Sequence, residues 1–342
     1  MPSPNRPSVP SAAPSVVGAH PALRRVLDVA ERVAATSATV LVTGESGTGK
    51  SMLARAIHAA SGRPGRFVEV ACGSLSESLL ESELFGHVAG AFTGATADRD
   101  GKFLQADRGT IFLDEIATAS PAMQVKLLRV LQERQFEPVG GARTHTVDAR
   151  VILATHEQLP ALVAAGRFRA DLFWRINVVS IEMPALRDRP DDIPRLATHF
   201  LREAALRAGR DVTGFTPAAM ESLGRHDWPG NVRELEHAVE RGVLLGRGPL
   251  VDIADLPPTV AAAAGTTPGH LAARHDTPEP AVVAAPLKRA LAGPERQLII
   301  DALERSGWRR DAAARALGIN RTTLYKKLRR LGMNLATLEP TG

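Results

Sequence analysis

The segment Val40–Ser51, with the sequence VLVTGESGTGKS, decides the fold of the first part of this chain. It opens with the apolar run Val40–Val42, which predicts a buried strand. The strand leads into a turn of the pattern G-x-x-x-x-G-K-[ST], in which backbone N–H groups face an anion at the positive end of a helix dipole. The fixed positions of the pattern are Gly44, Gly49, Lys50 and Ser51. The sequence therefore predicts a nucleoside triphosphate site.

The chemistry of this turn is specific. In such a loop the lysine, Lys50, reaches the β- and γ-phosphates, and the hydroxyl of Ser51 binds Mg²⁺. A chance glycine turn is the competing interpretation. The complete pattern between a strand and a helix disfavours that interpretation, so ATP and Mg²⁺ are the expected ligands.

Composition limits the class of protein. The chain has 342 residues, of which 44% are hydrophobic, and this length allows two or three domains. A single cysteine, Cys72, excludes a disulfide framework and is typical of a reducing cytosol. No apolar run approaches the length of a membrane span, and the first residues lack the apolar region of a secretory signal. We expect a cytoplasmic protein without a membrane partner.

The charge is concentrated near the C-terminus. Residues 292–334 contain ten Lys/Arg against four Asp/Glu, whereas the whole chain has a net charge of +5. A basic terminal module predicts a polyanionic partner, most simply nucleic acid.

Two further segments carry candidate catalytic groups. The apolar run Thr110–Glu115 (TIFLDE) ends in paired carboxylates, of which Asp114 can hold Mg²⁺ and Glu115 can polarise the attacking water. The alternative is a pair of solvated carboxylates at a strand end. A second apolar strand, Arg150–Thr155, is followed by His156, for which a structural and a chemical role remain equally open.

Two other segments are ambiguous when their residues are taken alone. Gly90–Ala95 (GAFTGA) predicts a glycine turn, with Phe92 placed in the core by the conventional interpretation. In FRADLFWRIN, Arg169 and Arg175 are six residues apart and so do not share a helical face. Either can be an ordinary surface arginine.

The later part of the chain is helical. Asn231, with Glu234 three residues later, predicts a capping-box start for a helix that holds Arg233. Three short amphipathic helices follow an Ala/Pro/Thr-rich segment, and the third begins at Asn320. Their arrangement predicts a helix-turn-helix, with a dimerisation module as the alternative. The candidate DNA-contacting residues are Asn320, Arg321, Thr322, Thr323, Tyr325, Lys326, Lys327 and Arg330.

Together these segments resemble the bacterial enhancer-binding proteins, which are AAA+ activators of sigma-54 RNA polymerase. The resemblance extends from about Val17 to Met333. Its most specific part is GAFTGA, a family hallmark that forms a surface loop engaging sigma-54, and this replaces the buried position of Phe92. The loop residues are Gly90, Ala91, Phe92, Thr93, Gly94 and Ala95.

The resemblance implies an α/β fold, in which an AAA+ P-loop parallel sheet carries a helical lid subdomain and is followed by an all-α helix-turn-helix domain. The expected divisions are a disordered tail at 1–15, an α/β nucleotide-binding subdomain at 16–183, a helical lid at 184–257, a linker at 258–290, a Fis-type helix-turn-helix at 291–334 and a tail at 335–342. No sensory domain fits before the AAA+ region. Control is then expected from a separate, trans-acting regulator, from expression level, or not at all.

The family's site residues transfer to matching positions. The Walker A element is Gly44, Glu45, Ser46, Gly47, Thr48, Gly49, Lys50 and Ser51, and the Walker B pair is Asp114 and Glu115. Thr155 and His156 stand at sensor I, and Arg233 at sensor II. Arg169 and Arg175 match a pair that acts across the subunit boundary, while Val17 and Gly18 lie where the adenine pocket is usually made.

Two positions depart from the family pattern. Ala71 stands where an asparagine usually pairs with the Walker B glutamate and restrains hydrolysis, so Glu115 is expected to lack that restraint. Ser51 replaces the glutamate of many members and restores the general P-loop preference.

The implied function is an ATPase that activates transcription. It would bind upstream double-stranded DNA, assemble from a resting dimer into a hexameric ring, and remodel the sigma-54 RNA polymerase holoenzyme. One alternative is an AAA+ DNA-binding regulator that does not act on sigma-54. Another is an AAA+ chaperone or replication helper with a DNA-binding tail.

Overall fold

The computed structural model describes residues 16–263 and, beyond them, positions 299, 302, 303, 306, 310–317 and 324. Two compact units divide the chain, Met1–Thr267 and Pro268–Gly342. The predicted tails at 1–15 and 335–342, residues 264–290 of the predicted linker, and all eight candidate DNA-contacting residues lie outside the described positions.

The first unit alternates strands and helices. Its strands are β1 (Val40–Thr43), β2 (Phe67–Ala71), β3 (Gly86–His87), β4 (Arg99–Asp100), β5 (Thr110–Asp114), β6 (Gln135–Phe136), β7 (His145–Thr146), β8 (Arg150–Thr155), β9 (Val179–Glu182), β10 (Gly214–Phe215) and β11 (Leu250–Val251). Its helices are α1 (Pro21–Ala34), α2 (Lys50–Ala60), α3 (Glu77–Phe85), α4 (Lys102–Gln105), α5 (Pro121–Glu133), α6 (Leu159–Ala164), α7 (Ala170–Ile176), α8 (Ile193–Ala208), α9 (Pro217–Arg225), α10 (Asn231–Leu245) and α11 (Pro258–Ala262). Short 3-10 turns occupy Cys72–Ser74, Ile116–Thr118, Leu186–Asp188, Pro190–Asp192 and Ile253–Asp255.

A five-stranded sheet in the order β2-β5-β8-β1-β9 forms the centre of this unit, and every neighbouring pair is parallel. Parallel strands end at one edge of the sheet, and ligands bind outside that edge. The register places Ala71 beside Asp114 and Thr43 beside Thr155. The topology therefore brings the glycine turn after β1, the carboxylates after β5 and the histidine after β8 together.

Helices cover both faces of the sheet. Alternate residues of β5 enter different cores, since successive side chains of a strand point to opposite faces. Phe112 packs with Leu53 and Ile57 of α2, whereas Ile111 and Leu113 join the cluster that includes α3, α5 and α7. Burial on both faces explains the continuous apolar runs of the central strands.

A helical lid follows β9. Helices α8, α9, α10 and α11 share one apolar core, in which Trp228 is fully buried and its indole N–H donates to the Leu223 carbonyl over 2.9 Å. Val260 of α11 is buried in this core, and the Ser222 hydroxyl donates to its carbonyl. The first residues of the predicted linker thus form a helix that packs on the lid.

Two small hairpins, β3–β4 and β6–β7, lie beside each other in the α/β part. The Val88 N–H donates to the Val139 carbonyl, and the Val139 N–H donates to the Gly86 carbonyl. The segment Gly90–Ala95 lies in the connection between β3 and β4, next to the turn that contains Gly140.

In the second unit, the described residues include α12 (Arg310–Ala316), which belongs to one of the three amphipathic helices predicted after the Ala/Pro/Thr-rich segment. Ile299, Leu303, Ala313 and Leu324 are buried. Across the described residues of both units, the helices are too short or too polar to cross a membrane.

Candidate functional site

The loop after β1 has a backbone that requires glycine. Gly44, Gly47 and Gly49 have φ values of 132°, 77° and 104°, in the region that side-chain-bearing residues avoid. A Cβ atom on Gly47 would lie 2.3 Å from the carbonyl oxygen of Gly230, so steric contact forbids a side chain there as well. The fixed glycines therefore allow the loop to wrap around the N-terminus of α2.

Lys50 is buried and holds this loop from inside. Its Nζ donates to the carbonyl oxygens of Gly44 and Glu45 over 2.9 and 3.0 Å. Burial lowers the pKa of Lys50, whereas the nearby carboxylates of Glu115 and Asp114 act to raise it. The ammonium is thus poised inside the loop, close to two acids.

The carboxylates after β5 have different surroundings. Burial and the charge of Glu115 raise the pKa of Asp114, while the charge of Lys50 opposes the shift. The Asp114 carboxylate accepts the N–H of Glu115 over 3.0 Å, and Glu115 has a left-handed backbone with φ 56°. An additional cation beside Asp114 would favour its ionised form.

His156 contacts Glu115 directly. Its Nδ1 lies 2.5 Å from Glu115 Oε2, and roughly half of the histidine side chain is exposed. The preceding residue, Thr155, is buried, and its hydroxyl accepts the N–H of Glu157. The imidazole of His156, after β8, therefore contacts the carboxylate of Glu115, after β5.

A cavity of about 400 Å³ is lined by the glycine loop, by Lys50, Asp114 and Glu115, and by residues of the lid. Its lining combines apolar side chains, among them Val17, Met183, Leu196 and Phe200, with the glycine loop and the two carboxylates. Its volume falls in the range of small-molecule sites, roughly 300–1,000 Å³. Such a lining suits a ligand that has a flat apolar base and a charged phosphate chain.

A second cavity, of about 830 Å³, lies on the other side of Glu45 and His156, between α1, β9 and α7. Lys50, Ser51 and Asp114 do not line it. We therefore assign the phosphate chemistry to the smaller cavity.

The residues present fit a magnesium ion. Ser51 and Asp114 both line the smaller cavity and offer a hydroxyl and a carboxylate oxygen. Mg²⁺ in phosphoryl-transfer sites takes few protein ligands and completes its shell with phosphate oxygens and water. The described residues contain no group of three or more His, Cys, Asp or Glu that could form a metal cage.

Most predicted nucleotide-site residues meet in the smaller cavity. Those that line it are Val17, Ser46, Gly47, Thr48, Gly49, Lys50, Ser51, Asp114, Glu115 and Arg233. Gly44, Glu45 and His156 line the larger cavity instead. Gly18 lines neither, and a Cβ there would meet Leu23 and the Asp192 carboxylate.

Arg169 and Arg175 lie apart from this site and line neither cavity. Arg169 forms two hydrogen bonds with the Asp171 carboxylate at the surface. The Arg175 guanidinium donates to the Leu131 carbonyl near the end of α5, over 2.7 Å from Nη2. Neither arginine completes the site of its own chain.

The segment Gly90–Ala95 forms a closed surface loop. The Gly90 N–H donates to the Ala95 carbonyl over 2.8 Å, and Gly90 and Gly94 both have positive φ. Phe92 is 45% exposed and its ring meets His87 edge-on at 5.0 Å, so the core position given by the conventional interpretation is wrong.

Sequence reasoning missed a contact made by Asn231. The predicted cap is only partly right, because Gly230 is the N-cap and its N–H donates to Glu234. Asn231 has φ 54°, and its buried amide instead reaches Glu45 and Ser46. The tendency of asparagine to adopt positive φ, here after Pro-Gly, is the one local signal that could have indicated this.

Comparisons with known families agree with this geometry. The sigma-54 interaction domain matches residues 16–182, the AAA+ ATPase lid domain matches 187–272, and the Fis-family bacterial regulatory domain matches 291–331. The chain is also 49% identical over 325 residues to the transcriptional regulatory protein ZraR of Salmonella typhimurium, covering 95% of this chain and 70% of ZraR. The chain belongs to the sigma-54-dependent transcriptional activators.

Two further comparisons support the assignment. The Nif-specific regulatory protein of Azotobacter vinelandii is 44% identical over 327 residues, which cover 94% of this chain and 59% of that protein. The crystal structure of NtrX from Brucella abortus in complex with ATP is similar with a TM-score of 0.67 and 37% identity, covering 93% of this chain and 70% of NtrX. The AAA+ sheet with a helical lid and the Fis-type helix-turn-helix are thus confirmed as the fold class of this sigma-54 activator.

Proposed function

We propose that this activator hydrolyses ATP and uses the energy to remodel closed complexes of sigma-54 RNA polymerase through the loop Gly90–Ala95. One observation carries the proposal. Lys50, Ser51, Asp114 and Glu115 line a single cavity at the carboxyl edge of the sheet, while Phe92 stands exposed on a separate loop. A complete phosphate site and an exposed contact loop are the two parts that such a motor needs.

The lining of the cavity supports ATP binding. The apolar side chains of Val17 and Phe200 would contact the adenine, and the glycine loop would surround the phosphates. Lys50 would exchange its two carbonyl partners for phosphate oxygens. Ser51 and Asp114 would hold Mg²⁺, which neutralises charge on the phosphates.

Hydrolysis requires an oriented water and compensation of transition-state charge. Glu115 would polarise the water, and His156 would fix the direction of that carboxylate. Arg169 or Arg175 would reach the γ-phosphate bound by the neighbouring subunit, a contribution worth roughly 10³–10⁵ in rate in related enzymes. This requirement favours a ring, and we propose a hexamer.

The mechanical step would connect the nucleotide to the loop. ATP and its hydrolysis products would favour different positions of the loop Gly90–Ala95. The difference in their binding free energies for the two positions limits how far the equilibrium between these positions can shift. The helix-turn-helix would hold the ring near the promoter, through phosphate contacts for affinity and base contacts for sequence. We propose the eight residues between Asn320 and Arg330 for these contacts.

The test is open-complex formation at a sigma-54 promoter with ATP, with ATPase activity followed in parallel. Phe92→Ala should keep ATPase activity and lose promoter melting, because the substitution removes the contact and leaves the cavity unchanged. Val125→Ala is the matched control, since Val125 is also an exposed apolar residue, on α5. It should retain both activities.

The opposite results are equally informative. If the wild type hydrolyses ATP without melting the promoter, the remodelling target is another protein. That outcome would favour a DNA-binding AAA+ regulator that does not act on sigma-54. If the wild type does not hydrolyse ATP under conditions of ring assembly, the motor proposal fails.

A further inference from the structure

Asn231 connects the lid to the phosphate-binding loop. It is fully buried at the first position of α10, and its Nδ2 donates to Glu45 Oε2 and to the Ser46 carbonyl oxygen, each over 3.0 Å. Its Oδ1 accepts the N–H of Leu186 over 2.8 Å. One side chain therefore joins the loop, the segment between the two subdomains, and the lid.

Glu45 has a second partner in the same segment between the subdomains. The Arg187 guanidinium donates to both of its carboxylate oxygens, over 2.9 Å and 2.5 Å. Hydrogen bonds from Arg187 and Asn231 lower the pKa of Glu45 to about 2. The carboxylate is thus ionised at neutral pH and is held between Arg187 and Asn231.

The backbone adds contacts beside this side-chain linkage. The Val232 N–H donates to the Gly47 carbonyl over 3.0 Å. Gly47 also lies so close to Gly230 that no side chain fits between them. Three consecutive loop residues, 45, 46 and 47, are therefore bound by the first two residues of α10.

The same helix carries Arg233, which lines the nucleotide cavity. Its Nη1 lies 3.4 Å from the Ser46 hydroxyl. Residues 45–47 of the loop are therefore hydrogen-bonded to residues 231–233 at the start of α10. The lid and the loop share one set of hydrogen bonds.

We infer that Asn231 is a positioning residue that couples the phosphate-binding loop to the lid, so that nucleotide binding and lid position depend on each other. This inference rests on the proposed nucleotide site. The coupling follows from geometry, because Asn231 cannot keep its bonds to Leu186, Ser46 and Glu45 if the lid turns away from the loop. An amide suits this position because its nitrogen donates while its oxygen accepts, and asparagine also tolerates the left-handed backbone.

Three variants test this role. Asn231→Gly removes the side chain and tolerates the positive φ, so it separates loss of contacts from backbone strain. Asn231→Asp keeps the shape but places a second carboxylate beside Glu45. Ser222→Ala is the matched control, because it removes a buried side-chain hydrogen bond within the lid, from Ser222 to Val260, that does not touch the loop.

The first readout is the dissociation constant of a fluorescent ADP analogue, which requires no hydrolysis. We expect a rise of roughly 10- to 100-fold for Asn231→Gly, the range given by losing hydrogen bonds to a charged group. Asn231→Asp should bind more weakly still, because two carboxylates repel each other. Ser222→Ala should bind like the wild type even if its melting temperature falls.

The second readout is hydrogen exchange of α10 with and without ADP. ADP should slow exchange at the start of α10 in the wild type and in Ser222→Ala, and should have little effect there in Asn231→Gly. If Asn231→Gly keeps both wild-type affinity and ADP-dependent protection, the coupling role is contradicted while the nucleotide site stands. If the wild type binds neither ADP nor ATP, the proposed function fails first, and the coupling inference fails with it.

Discussion

His156 Nδ1 lies 2.5 Å from Glu115 Oε2, so the acid proposed to polarise water is already engaged by the neighbouring strand β8. On the opposite side, β2 places Ala71 in register with Asp114 and offers only a methyl group. In this chain the side chain that contacts the Glu115 carboxylate therefore comes from the end of β8 and not from β2.

Replacing the histidine should misdirect the acid. We expect His156→Ala to lower kcat for ATP hydrolysis by roughly 10- to 100-fold, since a catalytic group misplaced by about 1 Å costs as much as 10² in rate. KM should change little, because His156 does not line the nucleotide cavity. Steady-state ATPase measurements would check this, with the exposed Gln158→Ala as control. An unchanged kcat would show that the contact is incidental.

A polar side chain at position 71 on β2 should also slow hydrolysis, but by a different route. Ala71→Asn would give Glu115 a second partner that competes with the attacking water. We expect a lower basal ATPase rate and a changed response to sigma-54. Basal ATPase assays with Ala71→Ser as a smaller polar control would check this. A basal rate equal to that of the wild type would count against any restraint from this position.

The two arginines should differ in their effects on stability. Arg169 pairs with Asp171 at the surface, and exposed ion pairs contribute little. Arg175 donates to the Leu131 carbonyl, which would lose its charged donor in a variant. We therefore expect Arg169→Ala to keep its melting temperature while losing ATPase activity, and Arg175→Ala to lose some of both. A large drop in the melting temperature of Arg169→Ala would contradict this division.

Mixing experiments would assign the acting arginine across the boundary. Subunits with Arg169→Ala keep an intact Glu115, and subunits with Glu115→Gln keep an intact Arg169. If Arg169 acts on a neighbour, mixing the two inactive proteins should restore part of the ATPase activity. The same mixture made with Arg175→Ala is the comparison, and no recovery in either mixture would argue against action between subunits.

Cys72 should be inert in the folded protein. Burial, followed by the charge of Asp114, raises the pKa of the Cys72 thiol from 9.0 to about 12. A thiol reacts as its thiolate, so alkylation at pH 8 should be slow in the native state and fast after unfolding. The thiol of the unfolded chain ionises at lower pH than that of the folded chain, so folding stability should fall as pH rises from 9 towards 12. Rapid native labelling would show that the site opens.

Local patterns predicted the strands well. Arg150–Thr155 has the predicted limits, because a short strand buried in a parallel sheet appears in the sequence as an apolar run. The glycine loop was equally predictable, because its positive φ values require glycine and two of these glycines are fixed positions of the motif.

Contacts between distant residues were not predictable in the same way. Asn231 and Glu45 are 186 positions apart, and Arg175 reaches Leu131 across 44. Helical periodicity and capping rules describe neighbours within one or two turns, so they predicted a helix start at Asn231 but not its contact with Glu45. The partner of His156 is also set by the order of the strands, which local periodicity does not specify.

The close approach of Gly140 to Ala91 has a consequence for protein engineering. A Cβ on Gly140 would lie 2.7 Å from the Ala91 Cβ. The turn that contains Gly140 and the loop Gly90–Ala95 are therefore in direct contact, with no room for a side chain at position 140. A transplant of GAFTGA alone onto another scaffold would leave its first alanine without this support. A graft that is meant to keep the native shape of the hexapeptide must carry the second turn with it, glycine included.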